Sequence, residues 1–231
     1  MRGGGVILLM VLLVAGCTTV HPPADVEGEE TPIVVISGWS DPFIGGTHAA
    51  KELRKLTGNP NVLAVHPGFA WSFDGAADKV VREVEKAFGE GAEVDVVAIS
   101  MGGVTLRHAA TPGRKGKRLN VRKGFTIAAP HTGAQLANWV GFWGTGLAMR
   151  TNSPFLRRLA EREKTHGVDY DFIAYARRND YTIGAGSALP PHLAKETELM
   201  WVDTPVFPGG HFRPYADERI LGDIARRLAE E

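Results

Sequence analysis

Three residues of this chain, met in the order Ser100, Asp180 and His211, have the side chains that nucleophilic attack on a carbonyl requires. A serine hydroxyl is a poor nucleophile until a base within hydrogen-bond reach takes its proton, and that base must be held in one tautomer by an acid. Ser100 stands in Val94-Asp95-Val96-Val97-Ala98-Ile99-Ser100-Met101-Gly102-Gly103, where a β-branched run meets a helix-compatible segment at a serine between small residues. Such a corner presents a hydroxyl at the tip of a sheet, and the residues two before and two after the serine must be small for strand and helix to approach. The usual G-x-S-x-G pattern is here A-x-S-x-G, with Ala98 keeping most of the room. His211 follows two glycines in Pro208-Gly209-Gly210-His211, which leave the backbone free to curl over strand tips. Asp203 is a rival acid, and His131 and His192, both beside prolines, are rival bases.

These side chains need a scaffold, and the sequence supplies one. Strands are expected at Ile33 to Ser37, Asn61 to Val65, Val94 to Ile99, Phe125 to Ala129, Phe172 to Ala176 and Leu199 to Val202. Helical spacing falls between them, at Thr47 to Leu56, Asp74 to Phe88, from the elbow to about Ala110 and at Ser153 to Glu163, with a last helix over Ala216 to Glu231. This alternation predicts an α/β domain: a mostly parallel sheet of about six strands with helices on both faces. Each candidate residue then lies on a loop leaving the C-terminal end of its own strand, the edge where sites assemble in open parallel sheets. Residues 133–167 are long for a crossover and hold Trp139, Phe142 and Trp143, which suits a small cap or lid over a pocket; a plain crossover helix is the alternative. Phe69, Trp71 and Phe73 follow a strand and could wall an acyl pocket or belong to the core.

Composition excludes other classes. Lys+Arg and Asp+Glu both number 26, so no basic footprint for nucleic acid exists. The tract Arg114-Lys115-Gly116-Lys117-Arg118, with Arg122 and Lys123 after it, reads as a solvated loop, or as a contact for anionic lipid headgroups. No His, Asp, Glu or Cys set has metal-ligand spacing and no phosphate-binding glycine loop occurs, so neither metal nor cofactor is expected. At the N-terminus, Arg2 precedes an apolar run, Val6 to Leu13, shorter than the ~20 residues of a membrane-spanning helix. Residues 1–16 therefore read as an export signal, and Val14-Ala15-Gly16-Cys17 resembles a bacterial lipobox. That resemblance implies lipidation of Cys17, the chain's one cysteine, a tether over residues 17–31, and a domain over residues 32–231 held at the cell envelope. Thr18 after it, in place of Asp, favours the outer membrane if the source has two membranes.

From Pro32 onward, order, spacing and strand context resemble the α/β-hydrolase superfamily, in particular its bacterial lipases and esterases. Val94 to Gly103 looks like the family's V-D-L-V-G-H-S-x-G-G elbow, and Ala129-Pro130-His131-Thr132-Gly133-Ala134 is similar to its T-P-H-x-G-S segment. Asn179-Asp180-Tyr181-Thr182-Ile183 resembles the segment carrying the acid, and Gly210-His211 the base. The resemblance implies a triad of Ser100, His211 and Asp180, with backbone N–H groups of Met101 and Trp39 as the oxyanion hole. It further implies an ester or lipid substrate, for which Trp139 and Trp143 of the insertion are candidate contacts, while His131 lines the site or orders a loop by hydrogen bonding. Two departures stand out: Ile99 replaces the histidine before the nucleophile, and Ser37 replaces the histidine of the turn after the first strand. Ser37 bears on the shape of that turn and so on the aim of the second donor. The expected activity is hydrolysis of carboxylic esters through an acyl-enzyme. An acyltransferase or thioesterase on the same triad, or a surface-binding protein on a hydrolase fold that has lost catalysis, are the alternatives.

Overall fold

Short runs of Val, Ile and Ala buried on both faces build the centre of the molecule. The computed structural model describes residues 30–38, 45–68, 70–140, 144–177, 180–190, 192–193, 198–202 and 213–230. Cys17, Trp39, Phe69, Trp143, Asp203 and His211 lie outside them. The strands are β1 (Ile33–Ile36), β2 (Val62–Val65), β3 (Glu93–Ile99), β4 (Asn120–Ile127), β5 (Asp171–Arg177) and β6 (Glu198–Val202). They form one parallel six-stranded sheet in the order β2-β1-β3-β4-β5-β6. Successive residues of a strand face opposite sides. Ile33 and Val35 of β1 join one core cluster while Val34 and Ile36 join the other. Every β1 and β2 residue is buried, as expected for a parallel sheet covered on both faces.

Helices α1 (Gly45–Thr57) and α7 (Glu218–Leu228) pack together on the face of Val35 and Val97. Helices α2 (Phe73–Phe88) and α3 (Met101–Ala110) cover the other. α2 forms where Ser72 caps it, accepting from the Gly75 N–H, and Ala77, Val80, Val81 and Val84 make its buried stripe. Between β4 and β5 come α4 (Gln135–Val140), α5 (Gly144–Ala148) and α6 (Pro154–His166). α6 opens on Ser153, which accepts from the Leu156 N–H, and on Pro154 in its first turn. It runs beside α2 and α3, with Phe155 stacked on Phe73 at 4.5 Å.

Strand β4 starts five residues before the expected position and takes in Arg122 and Lys123, while residues 115–118 of the basic tract are exposed, as a solvated loop requires. Arg122 makes a two-pronged pair with Asp95 of β3, at 3.0 and 2.6 Å. Lys123 is 8% exposed, and its ammonium donates to the Arg227 carbonyl in the last turn of α7 and to the Glu230 carbonyl just past it, where a helix presents unsatisfied oxygens and negative partial charge. Arg114 is also buried, bonded to Asp78 at 2.5 Å, whereas Lys117 stays exposed between Glu85 and Glu90.

Candidate active site

The chain runs from β1 to β2 in one direction and then crosses back past β1 to β3. The crevice outside the C-terminal ends of β1 and β3 is therefore the switch point of the sheet, where ligands bind in open α/β folds. Gly38 follows β1 and Ser100 follows β3, and they meet there: a Cβ on Gly38 would lie 3.1 Å from Ser100 Cβ and 3.6 Å from its Oγ.

Ser100 has φ 51° and ψ −122°, a region non-glycine residues rarely adopt and one that costs about 1–3 kcal/mol. Surrounding bonds enforce it. Its N–H donates to Ile127 O at 2.9 Å and its carbonyl accepts from Gly103 N–H at 2.9 Å. The small-residue rule has a direct cause here. A Cβ on Gly102 would sit 2.4 Å from Ile36 O, and one on Gly103 would sit 2.4 Å from Ala129 Cβ. Ala98, the other small position, is fully buried. The Ser100 side chain makes no capping bond to α3, although it stands at that helix's N-cap. Met101 opens α3, so its amide belongs to the first turn, where the helix offers no acceptor and the dipole favours negative charge.

Asp180 lies past β5, two strands from Ser100, and is 3% exposed. Its Oδ1 accepts from Thr182 N–H at 2.9 Å and Ile183 N–H at 3.2 Å, which fixes the carboxylate on its loop. Its carbonyl accepts from Gly184 N–H at 2.9 Å.

The rival histidines belong to a buried polar chain on the α3 side. Arg107 gives two bonds to Glu163, at 2.8 and 2.5 Å, and a third to His131 O at 3.1 Å. Guanidinium only donates, so the 3.4 Å contact to His131 Nδ1 makes that nitrogen an acceptor, and Nε2–H donates to Thr126 Oγ1 at 3.1 Å. His131 is thus a neutral ring whose two nitrogens are both engaged by protein; burial, then the charge of Arg107, hold it well below the ordinary histidine range. It is 3% exposed, and these bonds order its loop. His192 Nε2 meets Glu163 Oε2 at 2.6 Å. Burial pushes the Glu163 carboxyl up, but Arg107 and His192 outweigh it and hold the group at about 2. Sequence reasoning missed this chain of residues, yet a signal existed. α3 is buried on all sides, so an arginine in its middle must have an acid partner.

Above the strand tips, α4 and α5 span part of the sheet's C-terminal edge. Leu136 N–H donates to Thr182 O after β5, while Thr145 Oγ1 donates to Ala70 O after β2. Between those two strands lie β1, β3 and β4. Residues 129–149 contain no Asp, Glu, Lys or Arg. Trp139 on α4 is 79% exposed and Trp71 80%, whereas Phe73 is buried core. Among the described residues no group of three or more His, Cys, Asp or Glu could hold a metal, and no helix is long and apolar enough to cross a membrane.

No family model matches the sequence, and no curated protein matches it either. Solved structures do. A gene product of Listeria innocua is similar with TM-score 0.62 at 11% identity, over 88% of this chain and 95% of that one. A Bacillus licheniformis lipase in its mature form gives 0.55 at 15% identity, over 90% and 97%. In its propeptide form the same lipase gives 0.57 at 16% identity, and this chain spans about half, 53%, of that longer one. The esterase domain of a Rhodothermus marinus protein gives 0.53 at 16% identity, over 90% and 91%. At such identities the likeness is one of architecture, and the chain has the α/β-hydrolase fold.

Proposed function

We propose that this protein is a serine hydrolase acting on carboxylic esters with an apolar acyl chain. The observation that carries the reading is Ser100 itself, held in a strained conformation at the switch point with its hydroxyl not used to cap α3. In this reading Ser100 Oγ attacks the ester carbonyl while His211 takes its proton, and Asp180 fixes the imidazole. The N–H groups of Met101 and Trp39 hold the tetrahedral oxyanion. His211 then protonates the leaving alcohol. Water, deprotonated by the same imidazole, attacks the acyl-enzyme and frees the acid. The charge-free stretch over residues 129–149 and the exposed Trp139 support an apolar acyl group. The lipases and esterases of the same fold support ester chemistry. Residues 1–16 serve as the export signal and Cys17 carries the lipid, which anchors the domain to the envelope.

The test is turnover of a p-nitrophenyl ester series together with labelling by a fluorophosphonate. Ser100→Ala is expected to lower turnover by roughly 10³ or more and to abolish labelling. A folded Ser100→Ala protein with near-wild-type turnover refutes the assignment. Metabolic labelling with palmitate, lost in Cys17→Ser, tests the anchor separately.

A further inference from the structure

The turn after β1 faces the nucleophile, and it opens on Ser37. Ser37 is fully buried, and its hydroxyl meets His66 Nδ1 at 2.9 Å. His66 follows β2, is 6% exposed, and places its other ring nitrogen 3.3 Å from Thr47 Oγ1 on α1. Its carbonyl accepts from Lys79 Nζ of α2 at 2.6 Å, so the residue is tied to helices on both faces of the sheet. The N-terminus of α1 closes over the pair through Gly46, where a Cβ would lie 2.8 Å from Ser37 Cβ and 3.3 Å from His66 Cε1. On the other side of the turn, Gly38 touches Ser100. Ser37 N–H donates to Val65 O at 3.1 Å, which joins the same turn to the strand that precedes His66.

We infer that His66 is a positioning residue for catalysis: through Ser37 it sets the Ser37-Gly38 turn that packs against Ser100, and so fixes where the nucleophile stands. The inference rests on the serine-hydrolase reading. A buried hydrogen bond between two side chains gives the turn one geometry, and the contact of Gly38 with Ser100 passes that geometry on to the nucleophile. Aim of the nucleophile acts on the attack and not on substrate binding, so the effect appears in kcat and not in KM.

The experiment compares His66→Ala, His66→Asn and Ser37→Ala with wild type on one p-nitrophenyl ester, with thermal unfolding run on each. His66→Asn retains a polar group near the position of Nδ1 and so can still reach Ser37. His66→Ala and Ser37→Ala are each expected to lower kcat roughly 10-fold or more with KM changed less than about 3-fold. His66→Asn should recover most of the loss, and the double variant Ser37→Ala/His66→Ala should be no slower than His66→Ala alone. A folded His66→Ala with unchanged kcat, or with only KM raised, overturns the inference. If His66→Ala does not fold, Ser37→Ala decides alone, since it removes a single oxygen, and unchanged kcat there overturns it. An active Ser100→Ala would instead sink the parent reading, a result that these variants cannot mimic.

Discussion

Replacing Glu163 by glutamine tests whether the buried chain beneath the elbow helix holds the domain together. Arg107 and Glu163 are 0% and 2% exposed, and the carboxylate takes two guanidinium bonds as well as one from His192. Glutamine keeps the shape and removes the charge. One of its oxygens becomes an NH₂ group facing guanidinium N–H, donor against donor, with the arginine left as an uncompensated buried cation. Breaking a buried pair in this way costs about 3–5 kcal/mol. Linkage gives a concordant figure: a carboxyl held at about 2 in place of 4.5 stabilises the fold by roughly 3 kcal/mol at neutral pH. At about 2–4 °C per kcal/mol for a domain of this size, Glu163→Gln should melt about 6–20 °C lower. The contribution is fully present above pH 4.5 and fades as pH falls toward about 2, so the variant should also lose that part of the wild-type acid slope. Urea unfolding at pH 7 and at pH 3.5 measures both effects. The paired replacement Arg107→Met/Glu163→Met, which leaves no orphan charge, should cost less than the single change. A loss under about 1 kcal/mol for Glu163→Gln at pH 7 would refute the reasoning.

Gly102→Ala should destabilise by about 1–3 kcal/mol and slow fluorophosphonate labelling, because the new methyl meets main-chain oxygens of Ile36 and Ser37 at 2.4 and 2.9 Å; urea unfolding and labelling rates check it. Asp180→Asn keeps an oxygen for the Thr182 and Ile183 amides, so its melting temperature should barely move while turnover falls about 10⁴-fold, measured by kcat beside a thermal scan. His108 and His131 are both held below the ordinary histidine value by burial, so the unfolded chain takes up their protons first. Stability should therefore decline as pH drops below 6.5, and His131→Asn should flatten that decline in denaturant titrations between pH 7 and 5.

Segments whose apolar pattern has one clear period could be read from sequence. The β-branched runs at Ile33, Val94 and Phe172 and the stripe of α2 fall within a residue or two of the observed elements. The elbow could be read because its small residues answer to a local steric demand. Strand β4 was harder. Arg122 and Lys123 look like loop until Asp95 on a neighbouring strand and the end of α7 supply their partners. The same holds for Arg107 with Glu163, 56 positions apart, and for Ser37 with His66, 29 apart. Local patterning reports which face of an element is buried; it does not report which distant side chain completes a polar pair. The Ser100 corner and the Asp180 loop stand where the sequence placed them, each past its own strand. His131, expected to line the site or to order a loop, makes hydrogen bonds to Thr126 and Arg107 that do the second.

Because Gly102 rests on the carbonyls of Ile36 and Ser37, the unusual backbone of Ser100 depends on a part of the chain more than sixty positions earlier. The strand and helix flanking the serine cannot generate that conformation by themselves. Reactivity of the hydroxyl is therefore born late, only when β1 and β3 have docked, and pulses of a covalent probe during refolding would time that event directly.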